Sequence, residues 1–211
     1  MKTDDLVARL AADAGAVPPH AALRRLALGL SVGALAAFVL TAVVLGLRRD
    51  LAAAAQDWQF WAKFAYPLAL AALAFPVVKK LSQPGSEAPA WPLLAPVGLL
   101  ALGALWQWTA APVDQHHHLL FGRSALVCPW LIAAVALPVF AGTIWAMRQL
   151  APTHPTVAGA AAGLLSGAAA TWIYALHCNE TSLVFVAVWY TSGIALTTAL
   201  GAITGRWTLR W

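Results

Sequence analysis

Six apolar runs of roughly 20 residues, separated by short polar links, leave this chain few ways to fold. A run of that length matches the hydrocarbon core of a bilayer, about 30 Å thick. Inside lipid no water is present to satisfy backbone N–H and C=O groups, so each run has to close its own hydrogen bonds as a helix. Charged residues make up only 10% of the 211 residues, whereas soluble domains carry about a quarter. The chain therefore reads as an all-α, polytopic membrane protein. The expected spans are 26–47, 60–78, 92–109, 125–147, 157–177 and 182–204. A cytoplasmic segment, 1–25, precedes the 26–205 bundle, and a short tail, 206–211, follows it. Pro67, Pro76, Pro96 and Pro138 are candidate kink points that neighbouring helices would tolerate. The third span is the weakest of the six, being short and holding Gln107.

Basic residues write the orientation. With six spans the termini share a side. Placing both inside collects Lys2, Arg9, Arg24, Arg25, Lys79, Lys80, Arg148, Arg206 and Arg210 there, against Arg48, Arg49, Lys63 and Arg123 outside. The positive-inside rule then predicts N-in, C-in. Lys63 lies close enough to a helix end for its ammonium to snorkel to the headgroups. The basic pI of about 9.7 belongs to this scattered topology signal, since a nucleic-acid footprint would cluster on one polar face. No direct nucleic-acid contact is expected. A cleaved signal peptide is not expected either, because Arg48-Arg49 follows the first run in place of small residues.

The two cysteines fall on the outer side at matched depth, Cys128 in the first turn of the fourth span and Cys178 at the end of the fifth. Two buried cysteines acting as small apolar side chains are one reading. Matched depth on one face favours the other, a pair. In an oxidising compartment a bridge between them would close a loop of about 50 residues, worth roughly 4 kcal/mol in the chain-entropy model. His116 and His118, from "DQHHHLL", with Cys128, His177 and Cys178 supply enough soft and borderline donors for a stress metal ion. Adjacent histidines cannot all face one ion, so unliganded loop histidines are the commoner outcome. No resident cofactor is called for.

"MKTDDLVARLAADAG" reads as a short amphipathic helix. Thr3 caps it, Asp4 and Asp5 oppose the positive end of its dipole, and Leu6, Val7 and Leu10 form an apolar stripe stopped by Gly15 and Pro18-Pro19. An interfacial helix would prefer Lys and Arg on its polar face. The acids here favour docking into a partner's groove. Recurrent small-xxx-small spacing, at Gly29/Gly33, Gly159/Gly163/Gly167 and Gly201/Gly205, marks close helix packing. Most of the 11 Trp sit near span ends as interfacial anchors. The spans show no buried carboxylate or charge pair of the kind an ion pathway carries. The chain has no CxxC, phosphate loop, HExxH or nucleophile elbow, and nothing in it argues for an enzyme.

The start "MKTDDLVARLAADAG", the cysteine of "LVCPWLI", the run "RQLAPTHPTVAGAAAGLLSGAAATWIYALHCNETSLVFVAVWY" and the close "GRWTLRW" together resemble the negative-regulator-of-sigma-F (NrsF) family. The resemblance covers nearly the whole chain and is strongest from Arg148 to Trp211. It implies a six-span anti-sigma factor of the bacterial inner membrane, which holds an extracytoplasmic-function sigma factor until metal or redox stress at the periplasmic face releases it. On this likeness the sensor thiols are Cys128 and Cys178, and the cytoplasmic start that grips the sigma factor falls on Thr3, Asp4, Asp5 and Leu6, continued by Val7 and Leu10. Many anti-sigma factors carry a larger soluble domain than the 25 or so residues here, so loops at Lys79-Lys80 and Arg148 and the tail at Arg206 and Arg210 would share the binding. The alternative from another class is a small metal or solute transporter using the outer His and Cys groups.

Overall fold

The computed structural model describes residues 3–13 and 20–210, without the side chains of residues 9, 10, 11 and 13. Gly15 and Pro18-Pro19, and the side chain of Leu10, lie outside what it describes. The described residues are all helical, with six helices long and apolar enough to cross a membrane: Ala21–Leu45, Trp58–Leu81, Trp91–Ala110, Cys128–Met147, Pro155–Tyr174 and Leu183–Thr208. The boundaries move from the expected ones for local reasons. The fourth helix starts at Cys128 rather than residue 125, with Pro129 in the first turn, where its missing N–H costs nothing. The fifth stops at Tyr174 rather than residue 177, and Ala175–His177 fold into a turn. The sixth begins behind Ser182, whose hydroxyl accepts from Phe185 N, and opens through a wide π-type turn, Val186–Tyr190.

The fifth helix is the centre of the bundle: 61% of its most apolar stretch is buried, against 17% for the third helix at the periphery. Small residues explain the difference. A Cβ added at Gly159 or Gly163 would strike the carbonyl of Gly201 or Thr197, so the fifth and sixth helices touch backbone to backbone. Gly29 and Gly142 make the same approach between the first and fourth. Hydroxyls inside the bundle are satisfied on their own helices, as Thr143 Oγ1 is on Val139 O and Thr171 Oγ1 on Gly167 O. Among the described residues two hydroxyl pairs cross helices, Ser166 Oγ to Thr143 Oγ1 at 3.3 Å and Tyr66 with Thr191 at 2.9 Å.

Helix alternation puts the links 46–57, 111–127 and 175–182 at one end of the bundle. The links 82–90 and 148–154 lie at the other end, where Arg25 Nη1 donates to Gln149 O. The N-terminal helix is Thr3–Asp13, with Asp4 and Asp5 in its first turn. Leu6 is 41% and Val7 58% exposed.

Candidate functional site

The link 175–182, which carries Cys178, is the hub of its end of the bundle. A helix terminus leaves carbonyls without partners, and here the neighbouring spans supply them or are themselves satisfied by the link. From the end of the first span, Arg48 N donates to Leu176 O (3.0 Å), and the His177 ring donates through Nδ1 to Gly46 O (2.8 Å). From the third, Gln107 Oε1 accepts from Ser182 Oγ and Val184 N, so the polar residue that weakened this span in the sequence ties it to the sixth. From the link before the fourth, Arg123 N donates to Glu180 Oε1 at 2.7 Å. Gly122 makes that contact possible: its φ is +46°, and a Cβ there would collide with the Glu180 carboxylate.

The second span contributes Lys63, where the structure corrects the sequence reading. Lys63 does not snorkel. It is fully buried, and its ammonium donates to Cys178 O (2.5 Å) and Glu180 O (3.0 Å). Just outside the first span, one charged side chain is buried beside an exposed partner. The Arg48 side chain is 4% exposed and forms a two-pronged ion pair with Asp50, Nε to Oδ1 at 2.8 Å and Nη2 to Oδ2 at 2.7 Å. These hydrogen bonds hold the Asp50 carboxyl down to about 2 and push the Arg48 guanidinium up. Arg48 also lies over the Phe60 ring at 5.7 Å.

Cys128 and Cys178, 0% and 4% exposed, are free thiols in one buried cluster at this end of the bundle. Tyr174 and Tyr190 close the group; both are fully buried, their rings 6.0 Å apart edge to face. The candidate metal donors are not brought together. His116 stacks on Trp108 at 4.1 Å and turns Nε2 to the carbonyls of Trp108 and Ala111, capping the third span. His118 is exposed, and His177 is spent on Gly46. Among the described residues no three His, Cys, Asp or Glu side chains form a group that could hold a metal ion.

Lys63, Arg48 and Tyr190 are the site residues that sequence reasoning missed, while Glu180, an outer-face candidate ligand with Asp114 in the sequence, is used here to accept from the Arg123 backbone. The only signal was a lysine inside an apolar run, which fits a snorkelling side chain equally well.

Fold and site together define a six-span helical membrane protein whose two thiols share one buried polar cluster. Residues 10–211 match the family model "Negative regulator of sigma F". The chain is 41% identical over 214 aligned residues to the probable anti-sigma-F factor NrsF of Azospira oryzae, and 40% identical over 214 to the anti-sigma-F factor NrsF of Caulobacter vibrioides. Both alignments cover all of each chain. No solved structure matches it. The chain belongs to the negative regulator of sigma F family.

Proposed function

We propose that this protein is a regulatory anti-sigma factor of the bacterial cytoplasmic membrane, and that oxidation of Cys128 and Cys178 makes it release an extracytoplasmic-function sigma factor. Its full-length relatives carry the names of anti-sigma-F factors, a regulatory role and not transport or catalysis. The charge asymmetry of the links supports N-in, C-in, with the cysteine end in the periplasm. The sigma factor docks on the N-terminal helix through Leu6, Val7 and Leu10, with Thr3, Asp4 and Asp5 at its head. The observation that carries the sensing half is the hub: Cys178 sits on a link bonded to the end of the first span, to the second and third spans and to the link before the fourth, and it shares a buried cluster with Cys128. A bridge to Cys128 therefore pulls on the whole end of the bundle. Two thiols without a third ligand nearby favour disulfide chemistry over metal capture. Transmission requires that the bridged and unbridged bundles differ in affinity for the sigma factor.

Leu6 and Leu10 replaced together by Asp test the docking half. Co-purification of the sigma factor from membranes is expected to fall at least tenfold, equivalent to about 1.4 kcal/mol, with the protein's membrane content unchanged. Unchanged co-purification removes the N-terminal helix from the interface.

A further inference from the structure

Three buried donors converge on the thiol pair with too few acceptors among them. The Lys63 ammonium is fully buried and bonds only to main-chain carbonyls; among the described residues Arg48–Asp50 is the one ion pair. Arg48 Nη1, on a side chain 4% exposed, has no hydrogen-bond partner. The Tyr190 hydroxyl, 0% exposed, has no hydrogen-bond partner, and Tyr190 packs in the same buried cluster as both cysteines. Buried polar groups are left unpaired rarely, and a buried cation without a counter-charge is costly. Carboxylates do not fill the gap. Asp50 is taken by Arg48, and Glu180 is turned to the backbone of Gly122 and Arg123. The group lacks one negative charge, and Lys63 and Arg48 both bond the link that carries Cys178.

We propose that Cys178 rests as a thiolate, with Lys63 as its counter-ion, and that it is the sulfur that attacks an oxidant while Cys128 resolves. The assignment rests on the redox reading above and deepens it. Cys178 shares one buried cluster with Cys128, Tyr174 and Tyr190, and the Lys63 ammonium is held on the Cys178 carbonyl. The neighbouring Cys128, followed by the ammonium, draws the Cys178 thiol down from its ordinary value, against the opposing effect of burial. Of the remaining charged or titratable groups around it, Arg48 acts in the same sense as Lys63, Tyr174 packs against Tyr190 and His177, and His177 is engaged with Gly46.

The chemistry balances with a hydroperoxide as oxidant. The Cys178 thiolate attacks one peroxide oxygen, the O–O bond breaks, and the departing alkoxide or hydroxide takes a proton from water. Cys178 is left as a sulfenic acid. The Cys128 sulfur then attacks that sulfur, the S–O bond breaks, and the hydroxide leaves as water with the Cys128 proton. The disulfide has lost the two electrons that the peroxide gained.

The test uses the full-length protein in detergent, with single-cysteine variants Cys128→Ser and Cys178→Ser, serine keeping a donor at either position. Two readouts are followed against pH, the ultraviolet absorbance of thiolate and the rate of alkylation by iodoacetamide. The Cys128→Ser protein is expected to show a thiolate step well below the ordinary thiol value of about 8.5, and Cys178→Ser none. Adding Lys63→Met to Cys128→Ser is expected to raise that step by about one unit or more, and Lys63→Arg to leave it low. A purely packing role for Lys63 would change the alkylation rate without moving the inflection. The proposal is overturned if the low step belongs to Cys128, if neither variant shows one, or if Lys63→Met leaves it in place. None of these readouts involves the sigma factor, so the anti-sigma reading stands or falls separately.

Discussion

Gly163→Leu is expected to pull the fifth and sixth helices apart and to lower the melting midpoint of the detergent-solubilised protein by about 10 °C. The first added carbon already has no room: it would strike Thr197 O and come within 3.0 Å of Thr198 Cα. Both are backbone atoms, which cannot rotate away as a flexible side chain can. Overpacking usually costs about 1–3 kcal/mol, and a leucine here falls at the top of that range or beyond. For a chain of this size each kcal/mol shifts the midpoint by about 2–4 °C. Gly98→Leu is the control, because a Cβ there meets nothing within 4 Å. A fall of the same size in both proteins would mean that the glycine contact is not what holds the bundle.

Lys63→Met is expected to open the link that carries Cys178. Methionine fills much of the space of the lysine stem, but it leaves Cys178 O and Glu180 O without their donor. Each buried carbonyl left unpaired costs about 1–3 kcal/mol. Relief from burying an ammonium acts in the opposite direction, so the net effect is a local opening and not global loss of fold. An opening equilibrium shifted by about 1.4 kcal/mol is tenfold in population. The rate at which a membrane-impermeant maleimide labels Cys178 should therefore rise by about tenfold at about pH 9, where thiols are largely ionised in either protein. A labelling rate equal to that of the parent would show that Lys63 does not hold the link closed.

The spans were legible because lipid offers the backbone only one solution, and the apolar runs record it. Their ends were less so: Cys128 opens its helix only because Pro129 follows, and the fifth helix stops at Tyr174 because the turn after it meets partners on other spans. The meeting of Cys128 with Cys178 followed from depth alone once the spans had been counted. Lys63 did not follow. A lysine in an apolar run either reaches back to water or finds acceptors inside, and its acceptors here lie 115 and 117 residues further along the chain. Arg48 was hidden differently, since beside Arg49 it has the form of an ordinary topology mark. Tyr190 was one aromatic residue among many, and only the wide turn before it brings it to the thiols. The histidine run left a ligand role open beside the commoner one of unliganded loop histidines, and the structure uses His116 to cap a helix.

The most direct measurement is of sigma-factor retention as the state of the thiol pair is set. Membranes holding the protein with its sigma factor bound would be divided and kept reduced or treated with hydroperoxide, and the sigma factor released to the supernatant measured beside the fraction of Cys128–Cys178 bridged. The account predicts that release rises in step with bridging, and that Cys128→Ser and Cys178→Ser proteins retain the sigma factor under both conditions. Release that is the same in reduced and bridged protein, or that persists with either cysteine replaced, would contradict it.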